Sequence, residues 1–150
     1  MKKMNNKGFS LVELIIVIAI MAILSAALAP QLMKYIEKSR VSTDKSSCDS
    51  IKSCVNTALA EEKVYTEITT LNSGTVSFKI ETSGITLVTP TGAATNAIDN
   101  LKAELQSSLG SWPKPKSSGA QHFVVTITLD TTSGGVKNVA VDTNNGVMSK

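Results

Sequence analysis

Lys7-Gly8-Phe9-Ser10-Leu11-Val12-Glu13-Leu14 opens an apolar stretch that runs to Ala29, and from Leu14 to Ala29 only Ser25 is polar. Phe9 to Ala29 is 21 residues. As a helix this spans about 31 Å at 1.5 Å per residue, close to the roughly 30 Å of a hydrocarbon core. Ile and Val are mixed with Leu and Ala on every side, so the helix suits lipid or a protein interior and not water. Lys2, Lys3 and Lys7 precede it. Basic residues hold an N-terminus in the cytoplasm and leave the remainder to cross.

Three readings of this segment compete. A cleaved secretory signal would use Ala27-Leu28-Ala29, but Pro30 follows directly and its tertiary amide makes a poor scissile position. Glu13 also counts against it, because a carboxylate costs about 2.5–3.5 kcal/mol at a helix centre in the bilayer, less toward the end. A plain single-pass anchor has no use for Glu13 either. The third reading gives the acid a task. If the chain is cut after Gly8, Phe9 carries a free α-amine at the end of an apolar helix. Two opposite charges that meet offset each other's desolvation. Within one chain the amine points along the axis, away from Glu13. A neighbour shifted by about one helical turn would meet Glu13 more easily, and the pair would set register between packed helices.

The run Lys7-Gly8 followed by Phe9-Ser10-Leu11-Val12-Glu13-Leu14 resembles the prepilin peptidase site of type IV pilins. Gly precedes the cut, Phe follows it, Glu is the fifth mature residue, and Pro30 and Tyr35 fall at mature positions 22 and 27, as in the type IVa pattern. The resemblance covers about residues 1–40. It implies cleavage of Gly8–Phe9, N-methylation of Phe9 by the same peptidase, and pairing of Glu13 with the Phe9 amine of an adjacent subunit. The apolar helix would first anchor the precursor in the cytoplasmic membrane, N-terminus inside. Later it would form the core of an extracellular helical filament, packed through residues such as Leu14, Ile15, Ile18, Met21 and Leu24. The implied partners are further copies of the chain, the peptidase, an assembly ATPase with its inner-membrane platform, and minor pilins. Ala22 stands where many relatives carry Gly, which leaves local melting of the helix less firmly implied. Pro30 cannot donate to the carbonyl of Ala26, so a kink near 26–30 is expected.

After Pro30 the sequence becomes polar, with no further Gly or Pro up to Glu62. Val41, Cys48 and Val55 recur every seven residues, with Ile51, Ala58 and Leu59 beside them. This predicts one amphipathic continuation of the same helix, from about Phe9 to Glu62, packed on a sheet. From Val64 the pattern turns to β. Strands are predicted at Thr75–Glu81, Ile85–Thr89, Gln121–Asp130 and Val136–Asp142, with turns at Ser83-Gly84, Ser133-Gly134-Gly135 and Asn144-Asn145-Gly146. A short helix carrying Ile98, Leu101, Leu105 and Leu109, capped by Thr95 or Asn96 and ended by Gly110, interrupts them. Trp112-Pro113-Lys114-Pro115 reads as an irregular loop. The fold class is therefore α+β: a long helical spine on an antiparallel sheet of about four strands. The organisation is a leader at 1–8, an apolar helix at 9–34, its amphipathic half at 35–62 and a sheet domain at 63–150.

Little else in the chain offers chemistry. Three of its 15 Lys and Arg lie in the first eight residues, leaving 12 bases against 12 acids beyond Gly8. A neutral body with 4% aromatic residues argues against strong nucleic-acid binding. Cys48 and Cys54 are six apart, which on an intact helix exceeds disulfide reach. They read as unpaired, and a bridge would require a distorted helix. The lone His122 has no Cys or His neighbour for zinc and reads as an ordinary sheet residue. Asp142, Asn144 and Asn145 lack calcium-loop spacing and read as a turn, although the related pseudopilins often bind calcium near the C-terminus. Trp112 reads as cover for a sheet edge, with an exposed contact as the alternative. No cofactor and no catalytic set is expected. The functional reading is a structural pilin precursor. The alternatives are a type II secretion pseudopilin or competence pilin from the same machinery, and a membrane-anchored surface enzyme, which would need a clustered polar cleft.

Overall fold

The computed structural model describes residues 9–71, 74–89, 98–130, 132 and 135–145. Its elements in chain order are α1 (Leu11–Ala58), α2 (Glu62–Thr70), β1 (Thr75–Glu81), β2 (Gly84–Thr89), α3 (Asp99–Leu109), β3 (Phe123–Leu129) and β4 (Val136–Thr143). The chain divides into two units, one ending at Lys38 and the other beginning at Ser39.

In the first unit α1 runs through Pro30 without interruption. Its large apolar side chains are exposed from Phe9 to Ile36 in the single chain.

The second unit is built on the other part of α1. Cys48, Ile51, Val55 and Ala58 recur at spacings of three and four and are fully buried. They form one face of a core that takes Val64 and Ile68 from α2, Leu101 and Leu105 from α3, and the inward residues of the sheet. The sheet order is β2-β1-β3-β4, all antiparallel. Period-two alternation sends Val76, Phe78 and Ile80 of β1 inward, opposite Ile127, Val125 and Phe123 of β3. Val139 and Val141 of β4 extend two of these rows. Burying each such side chain contributes about 1.5–3 kcal/mol, so these rows and the α1 face dominate the unit's stability.

Two expectations are corrected. The spine helix ends at Ala58, not Glu62, and residues 62–70 form α2 where β structure was expected. The chain tightens at the break, with Ala60 N–H donating to Thr57 O and Glu61 N–H to Ala58 O, both at 3.1 Å. The alternation of β-branched residues after Glu62 suggests a strand. However, Val64 and Ile68 lie four apart and both reach the core, so tertiary packing decides for helix. Thr69 and Thr70 turn their hydroxyls back onto the carbonyls of Tyr65 and Glu67 at 2.9 Å, which removes their claim on other backbone partners.

The short helix begins at Asp99, later than a cap at Thr95 or Asn96 would place it, and those two residues lie outside the described ones. Its N-terminus is satisfied from a distance. Glu67 of α2 accepts from the Asn100 N–H and Nδ2 at 3.1 Å and from the Leu101 N–H at 3.0 Å. A carboxylate there meets both the orphan donors and the positive end of the helix dipole. Gly110 closes the helix at φ +68°, a conformation that glycine adopts without steric penalty.

Candidate processing and assembly segment

Phe9 and Ser10 are non-helical, and α1 starts at Leu11. Ser10 is therefore the capping position and Glu13 the third helical residue. The Ser10 N–H donates to Glu13 Oε2 at 2.8 Å, and Leu14 N–H donates to Ser10 O at 3.2 Å. The first of these is the returning half of a capping box, in which an acid three residues on reaches back to the capping residue's own amide. Gly8 lies outside the described residues. Phe9 is 87% exposed, and Leu14, Ile15, Ile18, Met21 and Leu24 are all exposed. An 18-residue window of α1 reaches a mean hydropathy of 2.8 with none of it buried, long and apolar enough to cross a membrane.

The family described as "Prokaryotic N-terminal methylation motif" matches residues 3–29. The prepilin peptidase-dependent protein A of Clostridium perfringens is 31% identical over 116 residues, which is 77% of this chain and 75% of that protein. A fimbrial protein of Pseudomonas aeruginosa is 30% identical over 139 residues, covering 91% and 86% of the two chains. The chain belongs to the type IV pilin family. The type IV major fimbrial protein FimA of Dichelobacter nodosus is 41% identical over 61 residues, 41% of this pilin and 39% of that protein. No solved structure matches. This pilin is a structural subunit, a membrane-anchored precursor before assembly and part of an extracellular fimbrium after it.

The other residues singled out in the sequence are placed as follows. Cys48 is buried, Cys54 is half-buried, and both are free thiols. Burial pushes the Cys48 thiol up to about 12, helped by the negative charges of Asp142, Asp44 and Asp49. A rise from 9.0 to about 12 reduces the thiolate fraction near pH 8 roughly a thousand-fold, and the thiolate is the reactive form. Brief treatment of the folded pilin with iodoacetamide at pH 8 should therefore give a single adduct, on Cys54 by peptide mass mapping. An adduct on Cys48 without denaturant would contradict its burial.

His122 stands just before β3, with Nδ1 4.0 Å from Glu81 Oε1, beyond hydrogen-bonding distance. Glu81, Ser83 and His122 share a polar depression of about 360 Å³ with Lys114 and Gln121. Among the described residues no hydrogen bond joins Ser83 to His122, so they do not form a nucleophile–base pair. Asp142 accepts from the Thr143 N–H at 2.7 Å, and Asn144 Oδ1 accepts from the Gln121 N–H at 2.6 Å. Asn145 Nδ2 donates to Ser118 O at 3.0 Å. The Asn144 and Asn145 side chains stitch the turn after β4 to the strap between α3 and β3, while the Asp142 bond stays within β4. Among the described residues no group of three or more His, Cys, Asp and Glu is placed to hold a metal. Trp112 is half-buried against the core.

One residue escaped the sequence reading. Asp44 on α1 is 1% exposed. Its Oδ1 accepts from the Lys116 N–H at 2.7 Å and its Oδ2 from the Ser117 N–H at 2.8 Å. The signal was present: 44, 48, 51, 55 and 58 follow helical spacing, so an acid occupies a stripe that is otherwise apolar.

Proposed function

We propose that this pilin is made as a precursor cut between Gly8 and Phe9, methylated on the Phe9 nitrogen, and polymerised through its apolar helix. Residues 1–8 are the leader, and 9–34 are membrane anchor and then filament core, with Leu14, Ile15, Ile18, Met21 and Leu24 packed against other copies. Glu13 pairs with the Phe9 ammonium of a neighbour and sets the register. Pro30, lacking an N–H for the Ala26 carbonyl, gives α1 a point of bending. The subunit has no catalysis of its own. The processing peptidase, an assembly ATPase with its membrane platform, and minor pilins act on it or beside it.

The observation that carries the reading is an exposed helical segment up to residue 34, apolar on every side, whose one acid lies four residues after the proposed new terminus and at the start of the helix. Such a surface is stable only in lipid or against its like. The membership of the family and its motif at residues 3–29 support the same reading. Mass spectrometry of the chain from sheared filaments tests it. The expected mass is that of residues 9–150 plus one methyl group. A bulky residue in place of Gly8 should leave the leader attached. An octapeptide still present in wild-type fibres would overturn the cleavage site.

A further inference from the structure

Ser10 is the last residue before α1, and its N–H donates to Glu13 Oε2 at 2.8 Å. The first N–H groups of a helix have no partner within it. In water they are hydrated, whereas in hydrocarbon the protein must satisfy them itself. Glu13 does so for one of them, the Ser10 N–H, from the third helical position, where its carboxylate also faces the positive end of the helix dipole. Among the described residues Oε1 of the same carboxylate holds no hydrogen bond. We infer that Glu13 works first in cis, as the cap of its own helix, and only then in trans. In the single subunit the Ser10 N–H and the helix end give the acid a donor and a favourable field, so the precursor rests in the bilayer before any neighbour arrives. The same bond folds the side chain back over the helix start with one oxygen unused, and that oxygen is the one offered to a neighbour's Phe9 ammonium. This rests on the register reading above for its second half, while the cap stands without it.

Glu13→Gln separates the two roles, because the amide keeps a carbonyl acceptor of the same reach but carries no charge. The uncleaved, isotope-labelled precursor in zwitterionic detergent micelles is compared as wild type, Glu13→Gln and Glu13→Ala by amide hydrogen exchange at Ser10. Exchange roughly five-fold faster in Glu13→Ala is expected, with Glu13→Gln close to wild type. Equal exchange in wild type and Glu13→Ala, or a Glu13→Gln rate matching Glu13→Ala, overturns the cap. Should Glu13→Ala lose its helix altogether, Ser10→Pro decides. It deletes the donor and keeps the acid, and must shift the carboxyl carbon resonance of Glu13; an unmoved resonance overturns the inference. Filaments counted on cells carrying Glu13→Gln judge the register reading separately. Normal piliation sinks the trans pair and leaves the cap intact.

Discussion

Replacing Asp44 by Ala should destabilise the unit that begins at Ser39 by about 3 kcal/mol, a large share of what a domain of this size holds. The carboxylate is buried and takes two backbone N–H groups of the strap between α3 and β3, at 2.7 and 2.8 Å. Hydrogen bonds to a charged group are worth about 1.5–3 kcal/mol each, and an orphaned buried donor adds its desolvation. Lys116 lies at the surface, so water can replace one bond. Ser117 is 5% exposed, and its N–H has no such substitute. The Ser117 hydroxyl is itself buried and unpartnered among the described residues, so the neighbourhood has no slack to absorb a second loss. Asp44→Asn should fall between, near 2 kcal/mol, since it keeps one acceptor but turns an NH2 toward the other N–H. The readout is urea unfolding followed by the emission of Trp112, the chain's single Trp, which sits on the strap itself. A loss below about 1 kcal/mol in Asp44→Ala would show that the strap is held by other contacts.

That this residue was missed shows which parts of the fold the sequence carries. Segments whose period is set by burial on one face were readable. Thr75–Glu81 alternates cleanly because β1 is central, with β2 and β3 on either side and one face in the core. Cys48, Ile51 and Val55 marked the core face of α1 for the same reason, and Gly110 marked the end of α3 because its backbone needs φ +68°. What failed depended on partners distant in sequence. The helix at Glu62–Thr70 owes its form to Val64 and Ile68 reaching the core, and α3 owes its starting point to Glu67, 33 residues before Asn100. Asp44 is bonded to backbone 72 and 73 residues away. Local pattern cannot encode such partners; at most it flags an acid in an apolar register as needing one. At the N-terminus the acid was legible as an anomaly, and charge logic supports the proposed trans partner. Its cis partner, the Ser10 N–H, required the helix start to be placed at Leu11.

Glu13→Ala should abolish filaments while leaving leader removal intact. In the proposed filament core each subunit, cut after Gly8, brings one ammonium and one carboxylate into surroundings of low dielectric. Removing one member of a buried pair is costly, about 3–5 kcal/mol, because the survivor is left without a counter-charge. The Ala substitution strips the carboxylate from every interface at once, so every added subunit carries the penalty. Since about 1.4 kcal/mol is a factor of ten, the subunit concentration needed to sustain growth rises by roughly a hundred- to a few thousand-fold. A membrane pool cannot supply that excess, and the expected result is processed pilin retained in the membrane fraction with no fibres by electron microscopy. The helix remains apolar and long enough to cross the bilayer, so retention reflects failed growth and not failed insertion. Mixed expression sharpens the test. A subunit lacking Glu13 still offers its own Phe9 ammonium to a wild-type neighbour, so it should enter fibres at low proportion and shorten them as its share increases. Fibres of normal length built from Glu13→Ala alone would mean that the apolar helices find their register without the charge pair.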